Sequence, residues 1–489
     1  MGVNRGQNFV FRQMTPMLVF IAALAGAGGV ASAQAPNPSS AEDPFFGSVT
    51  AQPVSDTPLQ LSLDDAVRRG LESNLGLQEA ENAEKSLHGE RNVALQQFLP
   101  TITLTGNTGY YMHDLAALGF GPGTVAKFGG MFPGGAMPAG FSPITRDDLT
   151  EGRIHFKQTL FSGPVIAGWK AAGAAVRSAY FAKMTARGEV VQQVATIYLR
   201  SVADSREVEN AKARVAEAQL LLDHAHAAHM AGTAANLDEL RAKVELQAQQ
   251  QALIAAQNAR EKDLILLKRE IGVDPGQKVM LTDRAPYSVL ATQTPEEVLA
   301  LAYKDRQDYQ NLQNQAVEYK AVHAAYRSER LPSLSFSSYY GTSTVNGAGT
   351  HGNFVAMGTL SIPLFREARL RGDEDASQAE ADAVNAQLAD LRTHIDEQVR
   401  SALLDVTANA KLVEVARSNV ALATRALSDE TDRVNAGVDD NLPLVTAQAT
   451  LAMAQSNLVE SLYRYNLSKL ALARAAGVLE TEYRAYLGR

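Results

Sequence analysis

Residues 98–105 read FLPTITLT and residues 330–337 read RLPSLSFS. Each stretch ends a helix-like run on Leu-Pro and continues with hydroxyl and apolar residues in alternation. Proline cannot continue a helix, because it lacks an N–H and its ring collides with the preceding turn. A period of two belongs to a strand with one polar and one apolar face. The chain therefore passes from helix to strand at Pro100, and again at Pro332, 232 residues later.

The same offset, without a gap, overlays Leu63–Val67 on Pro295–Leu299 and Gln78 on Gln310. A second offset, of 205 residues, overlays Gly232, Leu237, Ala242 and Leu246 on Gly437, Leu442, Ala447 and Leu451, and runs on to Gly272 and Gly477. The chain is a duplication. The first repeat is 59–272 and the second 295–477, with a linker at 273–294 and a C-terminal tail at 478–489. They differ mostly in one loop, long and Gly/Pro-rich at 113–152 and short at 341–352. Each repeat reads helix, strand, loop, strand, very long helix, turn, helix. The strands are expected at about 101–112 and 153–161, then 333–340 and 353–362. The long helices are expected at 165–231 and 366–436, and the return helices at 237–271 and 442–476.

The chain has 489 residues, a net charge of −8 and no cysteine. A mildly acidic balance leaves no footprint for nucleic acid. Without cysteine there are no disulfides, thiol nucleophiles or thiolate metal sites. Arg5 and Arg12, the apolar run Met17–Ala27 and the small residues Ala31-Ser32-Ala33 read as a signal peptide over 1–33. A flexible segment, 34–58, follows it. Beyond the leader no run approaches 18 apolar residues, so no transmembrane helix is expected in the mature protein.

The helices are too long for an ordinary globule. Residues 165–231 and 366–436 contain no proline, and each would run about 100 Å as one helix. Val208, Val215 and Leu222 recur every seven residues, with Ala211, Ala218 and Ala225 three residues after each. Val413, Val420, Leu427, Ala416 and Ala423 repeat the pattern. Such a seam of small and branched residues lets helices supercoil at close approach. The long helices end at Ala231-Gly232-Thr233 and Ala436-Gly437-Val438, where glycine suits the position after a helix. Pro443 fits the first turn of a new one. The inference is a two-helix rod built from three segments, once per repeat.

The four strands place Ile102, Leu104, Ile154, Phe156, Leu334, Phe336, Phe354 and Leu360 on apolar faces. Thr101, Thr103, Thr105, Arg153, Lys157, Ser335 and Thr359 lie opposite. A half-buried soluble sheet or a membrane barrel with a wet interior both fit this pattern. A barrel-spanning strand needs about 9–11 residues, and four strands cannot close alone. If the sheet lies in a membrane, several chains share it.

These features, in this order, resemble the TolC-like outer-membrane efflux proteins. The carriers are LSLDDAVRRGLESNLGLQEAE, FLPTITLTG, LFSG at 160–163, AGTAANLDELRAKVEL, RLPSLSFSS, IPLF at 362–365 and AGVDDNLPLVTAQATL. Together they cover roughly residues 59–479. The resemblance implies a mixed, mainly α fold. Long coiled α-hairpins would form a periplasmic α-barrel. Four β-strands per chain would contribute to a 12-stranded transmembrane β-barrel in a homotrimer. It further implies an outer-membrane location, contact with outer-membrane lipid, and partnership with a periplasmic adaptor (membrane fusion) protein and an inner-membrane pump. The role implied is a conduit without chemistry of its own, with no catalytic residue and no cofactor. The turns at Ala231, Gly232, Thr233, Ala436, Gly437 and Val438 would form the periplasmic tip and meet the adaptor. Asp238 matches an acidic tip position of the family. The corresponding acidic positions of the second repeat are Pro443 and Thr446, and an arginine position is Asp439. Asp439 and Asp440, with Asp238, are the candidates for a substitute acidic constriction.

Other chemistry is sparse. Asp223-His224-Ala225-His226 and His229 form the one metal-like cluster, with His226 and His229 on one helix face. Zinc would want further ligands, and a polar stripe near the turn is the reading preferred. Gly121-Pro122-Gly123-Thr124 lacks the ending of a phosphate loop. Glu207, Glu209 and Glu217 read as solvated faces, and Trp169 as a boundary residue. A passive outer-membrane pore and a secreted coiled-coil scaffold are the rival readings. A pore needs only strands, and the rods argue against it.

Overall fold

The computed structural model describes residues 47–49, 53–114, 144–232, 235–283, 287–291, 293–346, 348–436 and 441–488. The expected signal peptide lies outside them. In chain order the elements are β1 (Leu59–Leu61), α1 (Leu63–Ser73), α2 (Leu75–Gln96), β2 (Thr101–Asp114) and β3 (Ile144–Phe161). They continue with α3 (Gly163–Met230), α4 (Asn236–Glu270), β4 (Val279–Leu281), α5 (Pro295–Asp305) and α6 (Gln307–Ser328). The last are β5 (Ser333–Val345), β6 (Thr350–Ser361), α7 (Glu367–Asn435), α8 (Asn441–Ala475) and α9 (Leu479–Leu487). The fold is mostly helical. None of the described helices is long and apolar enough to cross a membrane.

Local chemistry recurs at the same offsets. Ser62 caps α1 by accepting from Asp65 N, and Thr294 caps α5 in a reciprocal capping box with Glu297. Each satisfies N–H groups that the first helical turn leaves without partners. Asn74 and Arg306 then break the helix with extended ψ values of 133° and 120°. The helices that follow, α2 and α6, both have 22 residues. The long helices have 68 and 69 residues, and the return helices 35 each.

The chain forms two units. One comprises residues 88–174 and 317–381 of the described chain. It holds the antiparallel sheet β2-β3-β5-β6 and a small cluster of Ala167, Ala171, Val322 and Ala325. Strand β3 starts at Ile144, within the expected loop, and β5 runs to Val345. The extension is hydrophilic. It pairs Thr108 with Thr150 through their hydroxyls at 3.0 Å and Asn107 with Glu151 at 3.3 Å. Apolar alternation lapses there, so a search for it ends too early.

The other unit comprises the described residues up to 87, then 175–316 and 382–488. Its main core joins Leu61, Leu63, Leu77, Tyr198, Leu267, Ile395, Leu470 and Leu487. The expected linker contains β4, which pairs in parallel with β1. The expected tail is the helix α9, with Leu479, Tyr483, Tyr486 and Leu487 buried. Its apolar residues repeat at helical spacing and cover the core. Towards the turns the seam is made of alanine and branched residues. Ala211, Ala218, Ala225 and Val413 are buried, and Leu221, Ala225, Ala242 and Leu444 form a cluster.

Candidate pore face and hairpin turns

Register turns the alternation of single strands into continuous rows. Leu104 lies opposite Ile154, Ile154 opposite Tyr340, and Tyr340 opposite Phe354. Ile102 lies opposite Phe156, and Leu334 opposite Leu360. On this face Leu104 is 78% exposed and Phe354 67%. A single soluble chain rarely leaves such a contiguous apolar surface open.

The opposite face is polar in the same registers. Thr101 pairs with Lys157 and Thr105 with Arg153, while Ser335 lies opposite Thr159 and Thr359. Arg153 is the hub of this face. It forms an ion pair with Glu151 and stacks 4.9 Å from the Tyr339 ring centroid. His155 Nε2 lies 3.1 Å from Thr105 Oγ1. Gly341 permits the packing, since a Cβ there would lie 2.3 Å from the Gly152 carbonyl oxygen. Arg153, Lys157 and the hydroxyl faces were visible as a pattern, but the Arg153–Tyr339 stack needed the register.

Pro100 and Pro332 stand immediately before β2 and β5. The turn before Pro100 is closed by backbone bonds from Gln97, Phe98 and Leu99 to residues three positions earlier. Trp169 packs edge-on against Phe98, with centroids 6.2 Å apart, and lies 5.9 Å from the Arg91 guanidinium.

At the first hairpin turn, Ala231 N–H donates to Ala227 O and Gly232 N–H to His229 O. Gly232 has φ +71°, a conformation that favours glycine. Thr233 lies outside the described residues. Asp238 sits in the first turn of α4 and is paired with Arg241 at 3.3 Å. At the second turn, Ala436 N–H donates to Asp432 O. Gly437, Val438, Asp439 and Asp440 lie outside the described residues. His226 Nδ1 lies 2.9 Å from Glu239 across the first hairpin, and His229 Nδ1 lies 3.9 Å from the same carboxylate. No metal-holding group of His, Cys, Asp and Glu occurs among the described residues.

Away from the turns, an ionic cluster ties three helices together. Arg200 of α3 lies 3.3 Å from Asp204, 3.7 Å from Asp263 of α4 and 3.4 Å from Glu460 of α8. Arg214 of α3 donates to Ala452 O and Ser456 of α8 and pairs with Glu207 at 2.6 Å. Glu207 is thus a structural partner, not a purely solvated acid. Isolated charges on a helix carried no signal for these pairings, which depend on inter-helix register.

Burial, and then a hydrogen bond with Asp263, raise the Asp204 carboxyl to about 7. The folded chain retains a proton there that the unfolded chain releases near 4. Its contribution to stability is therefore present at low pH and lost as pH rises from about 4 to 7. Asp204→Asn keeps a neutral group in place. Thermal melts at pH 5 and pH 8 are expected to differ less in the variant, with its midpoint a few degrees higher at pH 8. An unchanged pH dependence would contradict the assignment.

A family model described as outer membrane efflux protein matches residues 66–273 and 301–478. Solved structures share the fold. A membrane protein from Pseudomonas aeruginosa is 17% identical, with a TM-score of 0.72 over 85% of this chain and 93% of that one. The CmeC outer membrane channel of Campylobacter jejuni is 14% identical, with a TM-score of 0.70 over 89% and 92%. The outer membrane protein VceC of Vibrio cholerae is 16% identical, with a TM-score of 0.68 over 85% and 96%. No curated protein matches the sequence.

Proposed function

Because the chain belongs to the outer membrane efflux protein family, whose members are channels and not enzymes, we propose that it is the outer-membrane exit duct of a tripartite efflux or secretion system. Three copies contribute four strands each to one 12-stranded barrel. Their helical hairpins extend into the periplasm as a tunnel. A periplasmic adaptor engages the turns around Ala231, Gly232, Thr233, Ala436, Gly437 and Val438 and couples the duct to an inner-membrane pump.

The observation that carries this reading is the two-faced sheet. One apolar row, Leu104–Ile154–Tyr340–Phe354, runs across all four strands, with Ile102–Phe156 and Leu334–Leu360 on the same face, and Arg153, His155, Lys157 and Glu151 lie on the other side. Lipid tolerates the first face and water the second. Two open edges are not tolerated in lipid, so the four strands need partners. Pro100 and Pro332 then mark where tunnel becomes barrel, twice per chain.

At the tip, Asp439 and Asp440 provide an acidic constriction. Asp238 contributes less charge, since Arg241 lies beside it. Conductance in planar bilayers tests both statements. Purified protein is expected to give discrete channel openings that a trivalent cation added on the tip side blocks. The Asp439→Asn/Asp440→Asn double variant is expected to lose most of that block. No conductance would sink the duct; an unchanged block would sink only the constriction.

A further inference from the structure

Among the described residues, strands β2 and β6 are each paired on one side only. Their open edges carry identifiable backbone groups. Asn346 N–H donates to Asp148 O at 2.9 Å, and Asp148 N–H donates to the Asn346 side chain at 2.7 Å. Even-numbered residues of β3 thus bond towards β5. Backbone bonding alternates along an antiparallel strand. It follows that Ile102, Leu104, Thr108 and Tyr110 point their N–H and C=O groups to the open edge of β2. Phe354 and Leu360 do the same at the open edge of β6. These even-numbered positions are also those of the apolar face. Only an even-to-even pairing joins the two edges with backbone bonds made and both faces continuous.

Strand β2 has 14 residues and β6 has 12. Complete overlap leaves two even registers, with Leu360 opposite either Leu104 or Ile102. The first advances the rows by six residues per chain: the row Leu104–Ile154–Tyr340–Phe354 next meets Tyr110. Six residues are about 20 Å along a strand, and four strand spacings are about 19 Å across, which corresponds to a tilt of about 45°. The second register advances four residues and corresponds to about 35°. Both tilts occur in membrane barrels, so side-chain chemistry decides.

We propose that the two edges join neighbouring copies of this chain in the first register, with Leu360 opposite Leu104 of the partner subunit; the proposal rests on the trimeric barrel of the preceding section. This register sets Phe354 opposite Tyr110 of the partner subunit and Gly358 opposite Gly106 of the partner subunit. On the polar face it sets Thr359 opposite Thr105 of the partner subunit. Phe354, Gly358 and Leu360 each then meet a residue of their own kind, while Ala356 falls opposite Thr108 of the partner subunit. The second register would instead set Phe354 against a threonine and Gly358 against a leucine.

The chain has no cysteine, so introduced thiols are the only ones present. At this seam odd-numbered residues form the non-hydrogen-bonded pairs, with Cα atoms about 4.5 Å apart. That distance suits a disulfide. A slip of two residues opens it to about 7–8 Å. The full-length Thr105→Cys/Thr359→Cys and Thr103→Cys/Thr359→Cys variants are compared in outer-membrane fractions after oxidation, on non-reducing gels. The first is expected to migrate mostly as covalent dimers and trimers, and the second as monomer. The reverse pattern would overturn the register and leave the trimer standing. Absence of linking in both would also overturn the register. The mass of the unlinked particle by light scattering then decides the trimer separately: three chains uphold it and one chain refutes it.

Discussion

Gly477→Ala is expected to remove most of the folded protein from the outer membrane. Gly477 has φ +81°, and a Cβ would stand 2.6 Å from Arg306 N and 2.8 Å from Arg306 Cα. A left-handed backbone costs an L-residue about 1–2 kcal/mol, and forced overpacking typically adds 1–3 kcal/mol. The colliding atoms are backbone and cannot swing aside. Arg306 is itself held by Asp308 at 2.6 Å and by Gln398 at 2.6 Å, at the break between α5 and α6. The loss is a large fraction of a typical folding free energy of about 5–15 kcal/mol. The measurement is the denaturation midpoint together with the yield of membrane-inserted protein. Gly188→Ala is the comparison. Its Cβ meets nothing within 4 Å inside α3, and a gain of about 0.5–1 kcal/mol is expected. A Gly477→Ala variant as stable as its parent would contradict the turn geometry.

Leu104→Arg is expected to block barrel assembly. Leu104 is 78% exposed at the β2 end of the apolar row that crosses all four strands. Arginine on a lipid-facing barrel position costs up to about 2–4 kcal/mol, depending on depth, and a trimer carries that cost three times. Ser335→Arg, on the polar face opposite Thr159 and Thr359, is expected to assemble normally and to shift ion selectivity towards anions. Heat-resistant trimer on gels reads the first variant, and reversal potential in a salt gradient reads the second. Equal tolerance of both variants would contradict the assignment of faces.

Much of this architecture was legible in the sequence because it is repetitive and punctuated. Two offsets exposed the duplication, two prolines the strand starts, and Gly232 the first hairpin turn. These signals are local, since each rests on the backbone preference of one residue or on a short period. What escaped is long-range or compositionally muted. The start of β3 was hidden because Ile144–Gly152 is held by hydroxyl and carboxylate pairs and not by apolar alternation. The β1–β4 pair has three residues per strand and joins positions about 220 apart, too short to carry a period. Helix α9 resembled a tail because only nine residues form it. The Arg200 cluster depends on which faces of α3, α4 and α8 meet, which no single segment encodes. For the pore face, the sequence carried the residues and their alternation. The continuity of the rows, and hence the argument for a shared barrel, required strand register.

In the proposed barrel the even-numbered face of β2 meets lipid and the odd-numbered face meets water. Single cysteines at Ile102, Thr103, Leu104 and Thr105, in a chain without native cysteine, test it most directly in intact outer membranes. A charged, membrane-impermeant thiol reagent is expected to label Thr103→Cys and Thr105→Cys rapidly. Ile102→Cys and Leu104→Cys are expected to react at least tenfold more slowly, and to be labelled instead by a lipid-partitioning reagent. Rapid labelling of all four positions by the charged reagent would mean that both faces are wet, and would contradict the membrane barrel.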